Sequence, residues 1–348
     1  MEQNSKKNIK EIFSRREIHF VAGFFFFALA LLVFTFFSPN YYDSKEPVQL
    51  EVKKGEILSH IVDTLYQRGV IPNRTNMKIA AFIYGAERKL QPGRYNIPNG
   101  LSYLQLVELL IGGSTITEVL VTIPEGIWQN NLASLLHEKL GIDSNKVIEL
   151  SKSRSFLNSL RIDSDNLEGH LLPETYYFYS NSTAEEVLRK LSEEMNKIFD
   201  DEKVQKRMKE LKMSKSQILN LASIIDGESN LFGEFKTISG VYHNRLKRGM
   251  LLQADPTVQY ILRNKRKNKI YRKDLEIDSK FNTYKYAGLP PAPINNPGKQ
   301  AIMAALFPEK HKFLYFVANG EGGHFFSSTY NDHSQNVARY REWRANQN

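Results

Sequence analysis

Cysteine is absent from the 348 residues, which excludes a disulfide framework, a thiol nucleophile and any cysteine-ligated metal. Its absence is compatible with an oxidising compartment without demanding one. The histidines are scattered without ligand spacing, so no metal site is expected, and nothing in the chain calls for a cofactor. Recognised nucleic-acid motifs and an aromatic base-stacking platform are missing too. The basic cluster RNKRKNKIYRK at Arg263–Lys273 therefore reads as a solvated surface insertion, and no nucleic-acid partner is expected. The formal charge of +9 is moderate for this length and suits an acidic polymer or an anionic membrane surface.

One stretch lacks charge altogether. Phe20–Phe37, FVAGFFFFALALLVFTFF, is just long enough to span a bilayer as a helix. It has no polar face to meet water, which argues against a buried core helix. Lys6, Lys7, Lys10, Arg15 and Arg16 precede it, and little positive charge follows. That asymmetry keeps residues 1–19 in the cytoplasm and sends the remainder to the outer side of the cytoplasmic (inner) membrane, as a single-pass protein. A cleaved signal peptide is the rival reading, but FSPNYYDSKEP offers no small-x-small cleavage site. Ser38–Pro47, polar with two prolines, is a short linker.

The remaining length exceeds one ordinary domain and predicts a small domain over 48–117 followed by a larger one over 118–348. In the first, VQLEV alternates as a strand, Lys54-Gly55 turns, and Ile57, Ile61 and Leu65 mark a helix stopped by Gly69. A helix around Asn76–Tyr84, a strand at Gly93–Ile97 and a capping box of Ser102 and Gln105 before a third helix complete it. In the second, a strand at Val119–Ile123 leads to a helix over Ile127–Leu140, with helical pieces at Lys146–Leu150 and Phe156–Leu160. Pro173 makes Leu167–Tyr179 looped or extended, and Ala184–Met213 is a charged helix or helical pair with a wet face. Ile238, Val241, Tyr242 and Leu246 carry a further helix, and Pro256 biases Asp255 toward an extended conformation. Phe281–Gly298 is a proline-rich rigid loop, Ala301–Phe307 a short helix, and the runs at Leu314–Val317 and His324–Ser327 a hairpin around NGEGG. The fold class is α+β.

Met213–Glu228, MSKSQILNLASIIDGE, carries the strongest chemical signal. Ser214 and Gln217 form a capping box, and Ile218, Leu221 and Ile225 define one apolar face that Glu228 continues at the helix end. Burial and the negative end of the helix dipole both disfavour the carboxylate, raising the pKa toward the range of a general acid. Asp226 falls on the opposite, wetter side, and Gly227 allows another backbone or a ligand to approach closely. A solvated glutamate past a frayed helix end is the bland alternative, which this stretch alone leaves open.

The chain as a whole resembles the endolytic murein transglycosylase, or YceG-like, family. The likeness is carried in order by IPEG at Ile123–Gly126, LEGHLLPETY at Leu167–Tyr176, LASIIDGES at Leu221–Ser229, NRL at Asn244–Leu246, GMLLQADPTVQY at Gly249–Tyr260, NTYKYAGLPPAPINNPG at Asn282–Gly298 and LYFVANGEGGHFFSST at Leu314–Thr329. The resemblance implies a LysM-like first domain, internal cleavage of glycan strands in nascent peptidoglycan, cell-wall synthases as candidate partners, and Glu228 as the catalytic residue. The family's usual Glu two positions earlier is Asp226 here. A lytic transglycosylase needs one carboxylic acid that protonates the glycosidic oxygen and then, ionised, deprotonates the sugar's own hydroxyl. Gln253, Asp255, Asn282 and Tyr284 are the candidate substrate-binding residues. A lysozyme-like hydrolase would require a second carboxylate, for which Asp255, Glu174 and Glu168 are the candidates. A non-catalytic glycan-binding scaffold is the third reading. His324 is expected to be structural.

Overall fold

The computed structural model describes residues 14–43, 46–113, 116, 118–263 and 270–347. Most of the basic insertion at Arg263–Lys273 lies outside the described residues. The chain divides into two compact units, Met1–Glu118 and Val119–Asn348.

In the first unit, helix α1 (Arg15–Phe37) opens on a reciprocal capping box between Ser14 and Glu17, so it begins before the apolar run itself. It is long and apolar enough to cross a membrane. Strand β1 (Val48–Val52) pairs antiparallel with β2 (Gly93–Ile97), Val48 opposite Ile97 and Val52 opposite Gly93. Between them lie α2 (Leu58–Gln67) and α3 (Arg74–Ile83), and α4 (Tyr103–Gly112) follows on the Ser102–Gln105 capping box. The alternation of β1 turns Leu50 and Val52 inward, where they meet Ile61, Leu65, Ile97, Leu106 and Leu110.

The second unit holds two apolar clusters. Strand β3 (Glu118–Thr122) pairs with β4 (Thr175–Tyr179). Against them α5 (Gln129–Leu140), α6 (Ser144–Lys152) and α7 (Arg154–Ser159) enclose Val121, Leu132, Leu136, Phe156, Leu167 and Leu171. Helix α8 (Ala184–Asp200) joins this cluster through Val187, Leu188 and Leu191, and reaches the other through Met195 and Phe199. The charged Ala184–Met213 stretch is thus a helical pair, α8 and α9 (Glu202–Leu211), with a wet face and a buried stripe.

The second cluster surrounds α10 (Lys215–Glu228), which starts at the Ser214–Gln217 capping box. Its burial is broader than the one apolar face expected: every residue from Ile218 to Ile225 is buried. The reason is its central place between α11 (Phe235–Lys247), α12 (Asp255–Leu262) and α13 (Lys299–Leu306). The alanines 301, 304 and 305 of α13 leave room for close helix packing. Pro256 does not hold Asp255 outside the helix as expected. Ala254 is the extended residue, φ −92° and ψ 113°, and Asp255 opens α12. A proline in the first turn forfeits no intrahelical bond, and an acid there meets the positive end of the dipole. Strands β5 (Tyr315–Ala318) and β6 (His324–Ser327) form the antiparallel hairpin. The closing helix α14 (Tyr330–Ala345), capped by Thr329, has no apolar stripe to announce it and was not expected from the sequence.

Candidate active site

Helix α10 ends at Glu228, because Ser229 is extended at φ −151° and ψ 149°. The carboxyl is half-buried. Tyr242, from the facing side of α11, donates its hydroxyl to Glu228 Oε1. That phenol is itself buried and lies edge-on to Phe316 of the hairpin, with ring centres 5.9 Å apart. One turn further along α11, Arg245 donates to the carbonyls of Leu252 at 2.8 Å and Leu314 at 2.6 Å. From α12, Asp255 faces Tyr284, whose hydroxyl donates to Asp255 Oδ1 at 2.5 Å.

These neighbours act on Glu228 in opposite directions. Burial, the largest influence, pushes its carboxyl up to about 7 against the hydrogen bond from Tyr242; the negative charge of Asp255 pushes the same way as burial, and Arg245 opposes it. Near neutrality the group is therefore divided between acid and carboxylate, the condition in which one residue can give a proton and later take one. Burial and Asp255 both raise the Tyr284 hydroxyl well above its ordinary value, which keeps it a donor.

Gln253 stands in the left-handed region at φ 50°, its amide donating to Thr283 O at 3.1 Å and its Oε1 accepting from Arg245 at 3.4 Å. A side-chain-bearing residue held there marks a loop over-determined by its surroundings. Asp255 and Tyr284 thus stand near Glu228, and Gln253 is tied to Arg245. Asn282 does not join them and is corrected as a substrate ligand: it is 0 % exposed, and its side chain donates to Leu275 O and Ile277 O and accepts from the Tyr284 amide. Its capacity goes into shaping the loop that carries Tyr284.

Asp226 is the second correction. It is half-buried, not on a wetter side, and its Oδ1 accepts from Gly298 N at 3.5 Å. Burial, followed by the charge of Glu125, pushes it up to about 7. Glu125 is itself raised by burial and by Glu174. Gly227 does permit a close approach: a methyl there would stand 2.7 Å from Pro256 Cβ.

The other acids differ. Glu174 is exposed. Glu168 is buried, accepting from Gln129 N at 3.0 Å and Asn296 Nδ2 at 3.3 Å, and burial pushes it up to about 8. Asn296 also accepts from the amides of Gly169 and Leu171, so this pair ties the Leu167–Leu171 turn to the loop before α13. His324 sits 2.7 Å from Glu234 at the turn end of the hairpin, a structural contact. Among the described residues no group of three or more His, Asp or Glu side chains could hold a metal.

Tyr242 and Arg245 were missed as site residues. Tyr242 reads as one more apolar position of an amphipathic helix, and NRL is too short a motif to weigh. An arginine one turn from that tyrosine, on the side that faces the core, is the available signal.

A half-buried carboxyl, raised toward neutrality between a phenol donor and a second acid on an α+β scaffold, has the features an acid–base site requires. Comparison with known proteins supplies the family. The family model described as YceG-like matches residues 50–339. An endolytic murein transglycosylase of Bacillus subtilis (strain 168) is 30% identical over 335 residues, 92% of this chain and 91% of the relative. One of Streptococcus pneumoniae serotype 2 (strain D39) is 27% identical over 328 residues, 86% of this chain and 59% of the relative. The crystal structure of a yceG-like protein from Listeria monocytogenes aligns with TM-score 0.57 at 31% identity, covering 84% of this chain and 99% of that one. The chain belongs to the YceG-like family.

Proposed function

We propose that the protein is a membrane-anchored endolytic lytic transglycosylase that cleaves glycosidic bonds between N-acetylmuramic acid and N-acetylglucosamine within nascent peptidoglycan strands. Glu228 carries the chemistry. As an acid it gives its proton to the glycosidic oxygen, and the bond from that oxygen to the anomeric carbon breaks. As a carboxylate it then takes the proton of the 6-hydroxyl, whose oxygen closes onto the anomeric carbon as a 1,6-anhydro ring, so no water is consumed.

The observation that carries this reading is the half-buried Glu228 carboxyl at the end of α10, held by the hydroxyl of Tyr242, with burial raising its pKa. Its relatives' names supply the substrate class. Asp255 is drawn to Tyr284, so the reading leaves it to orient sugar hydroxyls instead of attacking carbon, with Gln253 and Tyr284 beside it. A hydrolase would instead use Asp255 on a water or as a nucleophile.

Residues 48–117 are read as a LysM-like carbohydrate module. A pocket of about 670 Å3 opens there between the turn after β1, with Lys53, Gly55 and Ile57, and the stretch before β2, with Arg88, Leu90 and Pro92. Anchoring by α1 would place the residues that follow it on the outer side of the cytoplasmic membrane, beside the cell-wall synthases that lay down the strands.

The test is the product. Digestion of purified sacculi in heavy-oxygen water should yield strands ending in 1,6-anhydro-N-acetylmuramic acid with no label, read by mass spectrometry. Label at a new reducing end would replace this mechanism with hydrolysis involving Asp255.

A further inference from the structure

Arg245 is 7% exposed, and a buried guanidinium is ordinarily matched by a carboxylate because an unpaired buried charge is costly. Here the partners are neutral. Its Nε donates to Leu314 O at 2.6 Å, and Nη1 donates to Leu252 O at 2.8 Å, Leu251 O at 3.3 Å and Gln253 Oε1 at 3.4 Å. Among the described residues no carboxylate lies within ion-pair distance of it.

We propose that Arg245 is a positioning residue for Glu228: its guanidinium, locked on neutral oxygens one turn from Tyr242, is a fixed positive charge that acts through space on the Glu228 carboxylate once the first proton has been given away. This rests on the reading of Glu228 as acid and then base.

Geometry brings the two together through one helix face. Tyr242 and Arg245 are three residues apart on α11 and so project from the same side. Tyr242 holds Glu228, while Arg245 clamps the 251–253 loop that leads to Asp255, and the residue before β5. Carbonyl partners fix the cation without cancelling its charge, which a carboxylate partner would do. The charge accordingly acts outward on Glu228, Tyr242 and Tyr284, in each case favouring the ionised form.

The two-step chemistry needs such a group. Burial and Asp255 keep Glu228 protonated for the first step. Unopposed, they would also make the new carboxylate recapture its proton from the leaving group instead of from the 6-hydroxyl. Tyr242 and Arg245 are the two groups that resist this. The other titratable groups around them are Asp255 on α12, Tyr284 on its loop, Tyr315 of β5, whose ring lies 5.4 Å from the Arg245 guanidinium, and, from α14, His333, whose ring is lowered by burial and then by Arg245.

The test is the pH profile of kcat/KM for the full chain on purified glycan strands. Arg245→Gln removes the charge, so the basic limb, set by loss of the Glu228 proton, should move up by about one pH unit. Arg245→Lys keeps the charge but loses the fork, and the limb should stay in place while kcat/KM falls by about ten- to a hundred-fold as the loop loosens. Citrulline in place of Arg245 retains Nε–H and a terminal amide donor for the same carbonyls, so it keeps the fold if Arg245→Gln does not. Its limb should also rise. An unmoved limb in the citrulline protein, or a limb displaced equally in Arg245→Lys, overturns the proposal. Glu228→Gln separates the two levels: if that variant keeps its activity, the reading of Glu228 itself fails, whereas an inactive Glu228→Gln with an unmoved citrulline limb removes only the role of Arg245.

Discussion

Asp226 and Glu228 stand two residues apart at the end of one helix, and burial pushes both carboxyls up to about 7. Their surroundings differ in kind. Asp226 looks onto the backbone of tight turns: a methyl on Gly126 would lie 2.6 Å from its Oδ2, and its own partner is the Gly298 amide. Its charged neighbour is another acid, Glu125. Glu228 meets a phenol donor, a second acid held aside by its own phenol, and a buried cation. A raised pKa therefore marks both groups, and only the company each keeps separates the carboxyl proposed to shuttle a proton from one packed against turns.

The comparison breaks most sharply at Glu228→Gln. Glutamine preserves size and hydrogen bonding but cannot exchange a proton. Activity on sacculi should fall by about two to four orders of magnitude, with an unchanged circular dichroism spectrum. Retained turnover would mean that Asp226 or Asp255 carries the chemistry.

A smaller effect is expected from Tyr242→Phe. The lost hydrogen bond favours the ionised form of Glu228, so its pKa should rise and the basic limb of kcat/KM should shift upward, with kcat lower by about ten-fold. A limb that shifts downward would show that Tyr242 favours the protonated acid instead.

The smallest effect on activity belongs to Asp226→Asn, which should keep most turnover and speak through stability. The folded-state pKa of Asp226, about 7, lies above the ordinary 3.8. Its neutral form is thus the one the fold favours, and the linked stability is full below about pH 4 and lost as pH rises toward 7. Asparagine mimics the neutral form. Relative to wild type, the variant should melt higher at pH 8 than at pH 5, by about 2–4 °C for each kcal/mol of linkage. Loss of activity matching that of Glu228→Gln would instead make the two acids a catalytic pair.

Much of the scaffold was legible because its signals are local. The capping boxes at Ser102 and Ser214, the uncharged run of α1 and the hairpin around NGEGG each depend on a few neighbouring residues, and each appears where expected. Glu228 was legible as a candidate from helical period alone. Its partners were not: Tyr242 lies on another helix, and its periodicity was consistent with an ordinary core position. Asn282 misled for the converse reason. A polar residue in a proline-rich loop reads as a surface ligand, yet the loop folds back so that its own carbonyls consume the amide.

By itself the sequence determined where the capped helices α4 and α10 start, which segment is apolar enough for a bilayer, and which family the chain belongs to. These depend on hydrogen bonds within a turn, on side-chain periodicity and on residue order, all of which are written along the chain. Tertiary structure alone decided which carboxyls burial raises, which phenol meets Glu228 and which cation stands one turn beyond that phenol. Those outcomes follow from burial and from electric fields across a few ångströms, and groups distant in sequence become neighbours only when α10, α11 and α12 pack.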